Sequence, residues 1–568
     1  MLFQVIIGQM NPLNDTIALT NAASTKTFGL HSHGWWKGDS SHLATDPAII
    51  SHACRDLSRP VFFVETPQGL AMGHSGQIIM EPTSLQPDLL PLLGYAPAFH
   101  PHQLGDAEFR DQYHLDYAYM AGAMANGITS VKMVVAMAEA GMLSFFGAAG
   151  LTLDRVEQAI KQIKGHLGSR TFGMNLIHSP TTPDLERSTV DCYLKHGITL
   201  ISASAFMDLT PNLVWYRLQG ISTDPQGNVV CKNRIFAKIS REEVARRFLS
   251  PPPEKIVQQL RNDGRVNHHQ AQLAQRIPMC DALTVEADSG GHTDNRPTLA
   301  LFPTMRTLCD RMAEKYRYPT IPKIGLAGGI GTPQAAAAAF AMGAAFILTG
   351  SVNQGCIEAG TSETVRKMLA ATRQADMVMA PSADMFEMGV KVQVLKRGTM
   401  FPQRAQKLYD LYTRYDSWEE IPDNDRALLE RDFFKAPYDV TWDATMQFFA
   451  ERDPRQIERA QKDPRHKMAL VFRSYLGQSS IWAITGVPER QMDYQIWCGP
   501  AMGAFNEWVG GTFLEPIEAR KVTVVAHNLL YGAAVALRLW QLQSQNNRLS
   551  SLDGSFAPLP MEILTQKL

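Results

Sequence analysis

Three short loops hold most of the residues in this chain whose types and spacing could do chemistry. The first reads Glu286-Ala-Asp-Ser-Gly-Gly-His-Thr293. Gly290 and Gly291 have no Cβ, so the backbone there can pass close to a flat ligand. His292 would then project over a cleft, where an imidazole can polarise a carbonyl or exchange a proton. It is the catalytic candidate; the plainer alternative is a histidine bonded to its own loop. The second loop is Gly325-Leu-Ala-Gly-Gly-Ile-Gly331 and the third Thr349-Gly-Ser351. Glycine turns let several backbone N–H groups reach a dianion, and a helix that starts just beyond adds its positive end. Thr332-Pro333 is such a start, a hydroxyl N-cap followed by proline at the first helical position. Gly328, Gly329, Gly350 and Ser351 are therefore candidates for holding a phosphate, although glycines also serve tight strand-to-helix turns.

Three more places suit a planar ring. Met120-Ala121-Gly122 is small enough to leave it room. Asn175 lies among apolar residues in Gly173-Met-Asn-Leu176, where a buried amide needs partners that a heterocycle edge could supply. Lys238 lies in Arg234-Ile-Phe-Ala-Lys-Ile239, either facing the ring or as a lysine whose stem is buried while its head reaches water. No G-x-G-x-x-G opens a helix with an acid about twenty residues on, so no dedicated dinucleotide domain is indicated. His31-x-His33 and His100-x-His102 lack a nearby Cys, Asp or Glu at a ligand spacing and read as loop histidines; no metal is expected.

These loops need elements to position them. Short apolar runs alternate with helical periodicity, giving eight predicted strands: Tyr117–Met120, Met142–Phe146, Phe172–Leu176, Thr199–Ser202, Ile235–Ile239, Ala282–Glu286, Lys323–Leu326 and Phe346–Thr349. Between them lie predicted helices, among them Thr152–His166, Asp184–Lys195, Arg241–Phe248, Leu299–Tyr316 and Pro333–Met342. Eight such repeats indicate an α/β fold, a (β/α)8 TIM barrel over residues 111–358, with the chemistry at the strand C-terminal ends. An open doubly wound sheet is the rival. Thr210–Lys232, with a hairpin at Asp224-Pro-Gln-Gly227, and a charged helical stretch from Pro251 to Ile277 read as insertions. Residues 1–110 read as a small β-rich N-terminal domain. Residues 359–568 read as a helical cap without further strands, Asp453-Pro-Arg and Asp463-Pro-Arg marking two helix starts.

Composition narrows the function classes. The chain has 568 residues, with 45% hydrophobic and 19% charged, a globular balance large enough for two or three domains. With 54 basic and 55 acidic residues, a nucleic acid or an anionic membrane is not expected as a partner. Seven scattered cysteines without C-x-x-C spacing fit a reducing cytoplasm, and the start MLFQVIIGQM lacks the basic region of a secretory signal. Val522–Leu537 is apolar but short and contains His527 and Asn528, so a core helix is expected rather than a membrane span.

Taken together, these residues resemble the superfamily of nitronate monooxygenases (2-nitropropane dioxygenase-like) and FMN-dependent enoyl reductases. The pattern E-x-x-[AS]-G-G-H meets Glu286–His292, and Ala327–Ile330, Gly343-Ala344 and Gly350-Ser351 meet its phosphate loops. Over nearly its whole length the chain is similar to PfaD-type trans-acting enoyl reductases of polyunsaturated fatty acid and polyketide synthases. Thr66–Gly73, Tyr119–Gly127, Phe386–Val394 and Cys498–Phe505 carry that similarity. The resemblance implies bound FMN, NADPH as transient reductant, and a 2-enoyl thioester substrate on an acyl carrier protein; a nitronate monooxygenase-like flavin oxidase and a non-catalytic docking subunit of a synthase are the rival readings. Met120, Ala121, Gly122, Asn175, Lys238, Gly290 and Gly291 would then border the flavin ring and His292 would act on the thioester. Arg455, Arg459, Arg465, Trp482 and Trp497 suggest a basic surface to receive an acidic carrier. Where many relatives have glycine this chain has Asp294, which leaves open whether that carboxylate orients His292. The reading allows a homodimer.

Overall fold

The computed structural model describes residues 33–81, 88–179, 183–553 and 555–567. Eight parallel strands close into a barrel: β1 (Tyr119–Ala121), β2 (Leu143–Phe146), β3 (Gly173–Ile177), β4 (Leu200–Ser204), β5 (Arg234–Ile239), β6 (Ala282–Glu286), β7 (Lys323–Ala327) and β8 (Ile347–Thr349). Every one lies within two residues of its expected bounds, and β8 pairs with β1, Ile347 opposite Tyr119, to complete the ring. The doubly wound alternative is thereby excluded.

Strand alternation sorts the side chains into two cores. Met120, Leu143, Phe145, Leu200, Phe236, Ala282, Ala327 and Leu348 point inward and pack together with Phe109, Tyr113 and Phe346. The Phe109 ring lies 4.8 Å from Phe346, and Phe236 lies 5.5 Å from Phe145, so the N-terminal end of the barrel is stoppered by aromatics. Phe109 and Tyr113 come from helix Ala107–Tyr113, capped by Asp106, whose carboxylate accepts from Phe109 N at 2.7 Å. This helix closes the N-terminal end of the barrel. The outward-facing strand residues pack under the surrounding helices. One of these, Pro333–Ala341, begins as expected, the Thr332 hydroxyl accepting from Ala335 N at 3.2 Å.

The N-terminal unit is β-rich, as expected. Its five-stranded antiparallel sheet runs in the order Gly69–Gly73, Val61–Thr66, Leu89–Ala96, Trp35–Lys37, Gln77–Ile79. His31 lies outside the described residues, and the His100 and His102 rings stack on each other 5.3 Å apart. In the segment Thr210–Lys232 the structure corrects the reading. It first forms helix Pro211–Leu218 between β4 and β5, and only then the short hairpin, whose Asp224 carboxylate accepts from the amides of Gln226 and Asn228. The charged stretch that follows is helical, Glu254–Asn262 and His268–Ala274.

Beyond the barrel the structure differs from the expectation of helices alone. Met377–Pro381 and Lys391–Leu395 form an antiparallel hairpin that sits against the loop after β6. The rest is helical, with Pro454–Ala460 and Pro464–Thr485 starting at the two Asp-Pro-Arg sites. Helix Val522–Gln545 is the one described helix long and apolar enough to cross a membrane, and 83% of its apolar window is buried. It packs on Pro333–Ala341 and reaches the N-terminal unit, where Arg538 donates to Asp56 O at 2.7 Å and Arg59 O at 2.5 Å.

Candidate functional site

Above the aromatic stopper the inward positions turn polar, and these form the mouth of the barrel. Asn175 on β3 is buried; its Oδ1 accepts from Ser204 Oγ on β4 at 3.0 Å, and its backbone carbonyl accepts from Tyr193 at 2.5 Å. Its Nδ2 makes no hydrogen bond among the described residues. Lys238 on β5 reaches across to β6, its Nζ 2.8 Å from Glu286 Oε1, which also accepts from Ser289 Oγ at 2.9 Å. Lys238 is thus an inward residue of the mouth and not a lysine snorkelling at an edge.

The loop after β6 carries His292, whose Nε2 lies 3.2 Å from the carboxylate of Asp384. Asp384 comes from the connection between the two C-terminal strands. Its side chain is 53% exposed, so the desolvation that would raise its carboxyl is modest, and the hydrogen bond and charge of His292, with a Ser382 contribution, hold it below the ordinary range. Asp294 does not orient His292. It is taken by Arg241, at 2.8 and 3.0 Å, and by Ser240 Oγ at 2.5 Å, and the Arg241 hydrogen bonds depress its carboxyl below the ordinary range.

Gly290 and Gly291 serve a different neighbour from the one expected. A Cβ on Gly290 would lie 2.8 Å from backbone atoms of Cys498. Gly291, at φ +80°, exchanges backbone hydrogen bonds with Gln393 at 2.9 and 2.8 Å. The Gln393 side chain also donates to Asp288 Oδ1 and Ser289 O, both at 2.8 Å. Gly290 thus admits a C-terminal segment close to the loop, and Gly291 pairs its backbone with another.

The four phosphate candidates divide by the same test. Gly328, at φ +87°, would press a Cβ to 2.7 Å from the Ala287 backbone, so its role is to bring two loops together. Gly329 is open, its nearest atom being Thr298 Oγ1 at 3.8 Å, and a Cβ on Gly350 would meet nothing within 4 Å. Ser351 Oγ accepts from Gly499 N at 2.9 Å. Open space beside Gly329 and Gly350, at the ends of β7 and β8 near a helix start, fits a phosphate group. At β1 the small residues pack instead of leaving room. Met120 is in the inner core, Ala121 is under the helices, and a Cβ on Gly122 would lie 2.5 Å from Leu348. Neither the Met120 nor the Ala121 side chain reaches the mouth.

Sequence reasoning missed Asp384, and it noted the stretches holding Gln393 and Cys498–Ala501 only for their similarity, without placing them at the site. The last seals the loops after β6, β7 and β8, since a Cβ on Gly331 would also lie 2.1 Å from Ala501 O. The signal available was the glycines themselves, which mark close approach without saying of what. The three arginines expected to receive an acidic carrier are exposed and also have acidic neighbours. Arg455, Arg459 and Arg465 each face a carboxylate, Asp453 at 2.7 Å, Asp463 at 3.8 Å and Asp416 at 3.1 Å, and Trp482 lies under Arg490 at 4.2 Å.

With this geometry in hand, comparison with known proteins places the chain. The family model for nitronate monooxygenase matches residues 110–406. The model for the N-terminal domain of the fatty acid synthase subunit PfaD matches 36–98, and that for the inserted helical domain of acyl-carrier-protein S-malonyltransferase matches 415–494. The chain is 43% identical to one of the polyunsaturated fatty acid synthase subunits of Thraustochytrium sp., over 86% of this chain and 32% of that protein. It is 47% identical to polyketide biosynthesis protein PksE of Bacillus subtilis, over 76% of this chain and 56% of that protein. The chain thus spans between a third and somewhat over half of these relatives. Among solved structures it matches the enoyl reductase domain of MlnA from Bacillus amyloliquefaciens, with 40% identity and a TM-score of 0.73, covering 79% of this chain and 100% of that one.

Proposed function

Because the chain belongs to the nitronate monooxygenase family, a family of barrel oxidoreductases, we propose that it is an FMN-dependent enoyl reductase. It takes hydride from NADPH and reduces 2-enoyl thioesters presented by an acyl carrier protein of a polyunsaturated fatty acid or polyketide synthase. The observation that carries this reading is the match to the MlnA enoyl reductase domain over the whole of that domain. The synthase subunits among its relatives support the carrier-bound substrate.

The residues at the mouth fit the cofactor. Backbone N–H groups beside Gly329 and Gly350, with the Ser351 hydroxyl, would hold the phosphate of FMN in the open space there. The unspent Nδ2 of Asn175 would donate to a ring acceptor, and the Lys238 ammonium would offset negative charge on the ring. FMN, when bound, supplies two-electron hydride chemistry. The chain supplies the rest: His292 bonds the thioester carbonyl and gives the proton that Cα needs. The loop that carries it is held rigid by Gln393 and Cys498, so the imidazole is oriented before substrate arrives.

The test is a steady-state assay of NADPH oxidation with the same enoyl chain on a carrier protein and on a short pantetheine thioester. Binding energy from the carrier, remote from the reacting bond, should give the carrier-bound chain the higher kcat/KM. Equal efficiencies would remove the carrier from the reading. Oxidation of an alkyl nitronate by O2 without NADPH, and no enoyl reduction, would replace the reading with the monooxygenase activity for which the family is named.

A further inference from the structure

The catalytic histidine of the proposed reaction is partnered from outside the barrel. His292 Nε2 meets the Asp384 carboxylate at 3.2 Å, and Asp384 stands 92 residues further along the chain. The connection that presents it is pinned on both sides. Before it, Ala383 O accepts from Arg473 Nε at 3.0 Å; after it, Glu387 Oε1 lies 3.1 Å from Arg473 Nη1. Arg473 is mostly buried, on helix Pro464–Thr485. Phe386, fully buried, anchors the same turn among the rings of Tyr409, Tyr412 and Phe472. A carboxylate so held can do two things for an imidazole: it accepts from Nε2–H, which selects one tautomer, and it fixes the plane of the ring. The depressed carboxyl of Asp384 keeps it an acceptor throughout the neutral range.

We propose that Asp384, delivered by the C-terminal region and clamped by Arg473, is the positioning residue for His292 in the oxidoreductase reaction. This rests on the enoyl reductase reading. With Nε2–H committed to Asp384, Nδ1 is the nitrogen that serves the substrate. The proton for Cα leaves Nδ1 of the imidazolium, that N–H bond breaking as the Cα–H bond forms, and the ring is left neutral with Nε2–H still bonded to Asp384. The hydride for Cβ, with its electron pair, originates in the reduced nicotinamide that the reaction consumes.

The experiment is a double-mutant cycle on the full-length, flavin-loaded protein, with Asp384→Asn, His292→Ala and the double variant, following enoyl thioester reduction. Asp384→Asn is isosteric, and melting temperature and flavin content verify that each variant folds. In the presence of His292, Asp384→Asn should lower kcat by roughly ten- to a hundredfold, the scale of one charge-assisted hydrogen bond, with KM little changed. In the His292→Ala background the same substitution should change nothing beyond about twofold, because it acts only through the ring. Asp384→Glu should recover part of the loss. Equal slowing in both backgrounds, or no slowing in either, overturns the positioning role while leaving the enoyl reductase reading intact. A wild-type protein that reduces no enoyl thioester overturns the reading and this proposal together.

Discussion

Gly350→Ala separates the ligand's demands from the protein's own. At φ −130° the position accepts an L residue, and the new methyl would meet no atom of the chain within 4 Å. Its effect on folding stability should therefore stay within about 0.5 kcal/mol. Neighbouring glycines cannot serve this purpose. Gly329 sits at φ +74°, where a side chain costs about 1–2 kcal/mol, and a Cβ on Gly331 would be driven into Ala501 O. If FMN places its phosphate in the open space beside Gly350, the methyl fills part of the seat and keeps the phosphate from at least one backbone N–H. A lost hydrogen bond to a charged group is worth about 1.5–3 kcal/mol, which raises Kd by about ten- to 150-fold. The assay is fluorescence titration of deflavinated protein with FMN, paired with riboflavin, which has the ring but no phosphate. FMN affinity should fall by the stated factor while riboflavin affinity moves little. A folded Gly350→Ala protein that binds FMN as tightly as wild type refutes the assignment, and so does an equal loss for both ligands.

Two other outcomes follow from the site and the core. His292→Ala should keep its flavin and still be reduced by NADPH, yet lose about 10²–10⁴-fold in the half-reaction that consumes enoyl thioester; stopped-flow traces with that half-reaction unchanged would make His292 structural. His527 is buried, and burial holds its pKa down at about 4 against an ordinary value near 6.5. Between those pH values the unfolded chain binds a proton that the folded chain does not, so stability should fall as pH drops from about 6.5 to about 4. The contribution is about 3 kcal/mol. Denaturant unfolding at pH 7.5 and 4.5 should show His527→Gln losing less stability on acidification than wild type, and identical slopes would contradict a buried neutral ring.

How much of this was legible depended on the range over which each signal acts. The barrel strands were, because each is a short apolar run bounded by glycine or polar turns, and each of the seven intervening connections contains a helix. The placement of His292 and Lys238 followed from strand ends and alternation. The hairpin Met377–Pro381 and Lys391–Leu395 went unread even though Val392 and Val394 alternate with exposed or polar neighbours. Its strands are five residues each, one ends in proline, and the connection has no two-residue turn signature to join them. Asp384 could not be read at all, since nothing local to it or to His292 announces the other. The glycines mark close approach without saying of what: Gly122, Gly290 and Gly328 are closed by other parts of the chain, whereas Gly329 and Gly350 stay open. The arginines of the C-terminal region were read without their neighbours, although Arg459 and Asp463, four residues apart, could have been paired.

The C-terminal region is part of the site's construction, and the contacts say why it must be. In a barrel the active-site loops are connections between rigid elements, and a connection with no outside partner is free to move. Here the loop after β6 is bridged to Gln393 and abuts Cys498, the loop after β7 abuts Ala501, and Ser351 after β8 accepts from Gly499. Three loops that would otherwise fluctuate independently are tied to one short stretch, and that stretch leads into helix Ala501–Val509. The cost falls on Gly290, Gly328 and Gly331, where a Cβ would press on the backbone of Cys498, Ala287 and Ala501 and prise the segments apart. Under the proposed function the return would be a histidine and a phosphate seat fixed relative to each other, which a hydride transfer and a proton transfer to adjacent carbons would both require. The long helices beyond the barrel, through Arg473 and Phe386, extend the same rigidity to Asp384. Positioning at this site is therefore a property of the tertiary contact between barrel and C-terminal region, and a barrel excised at residue 358 would keep the glycines and the histidine while losing what holds them in place.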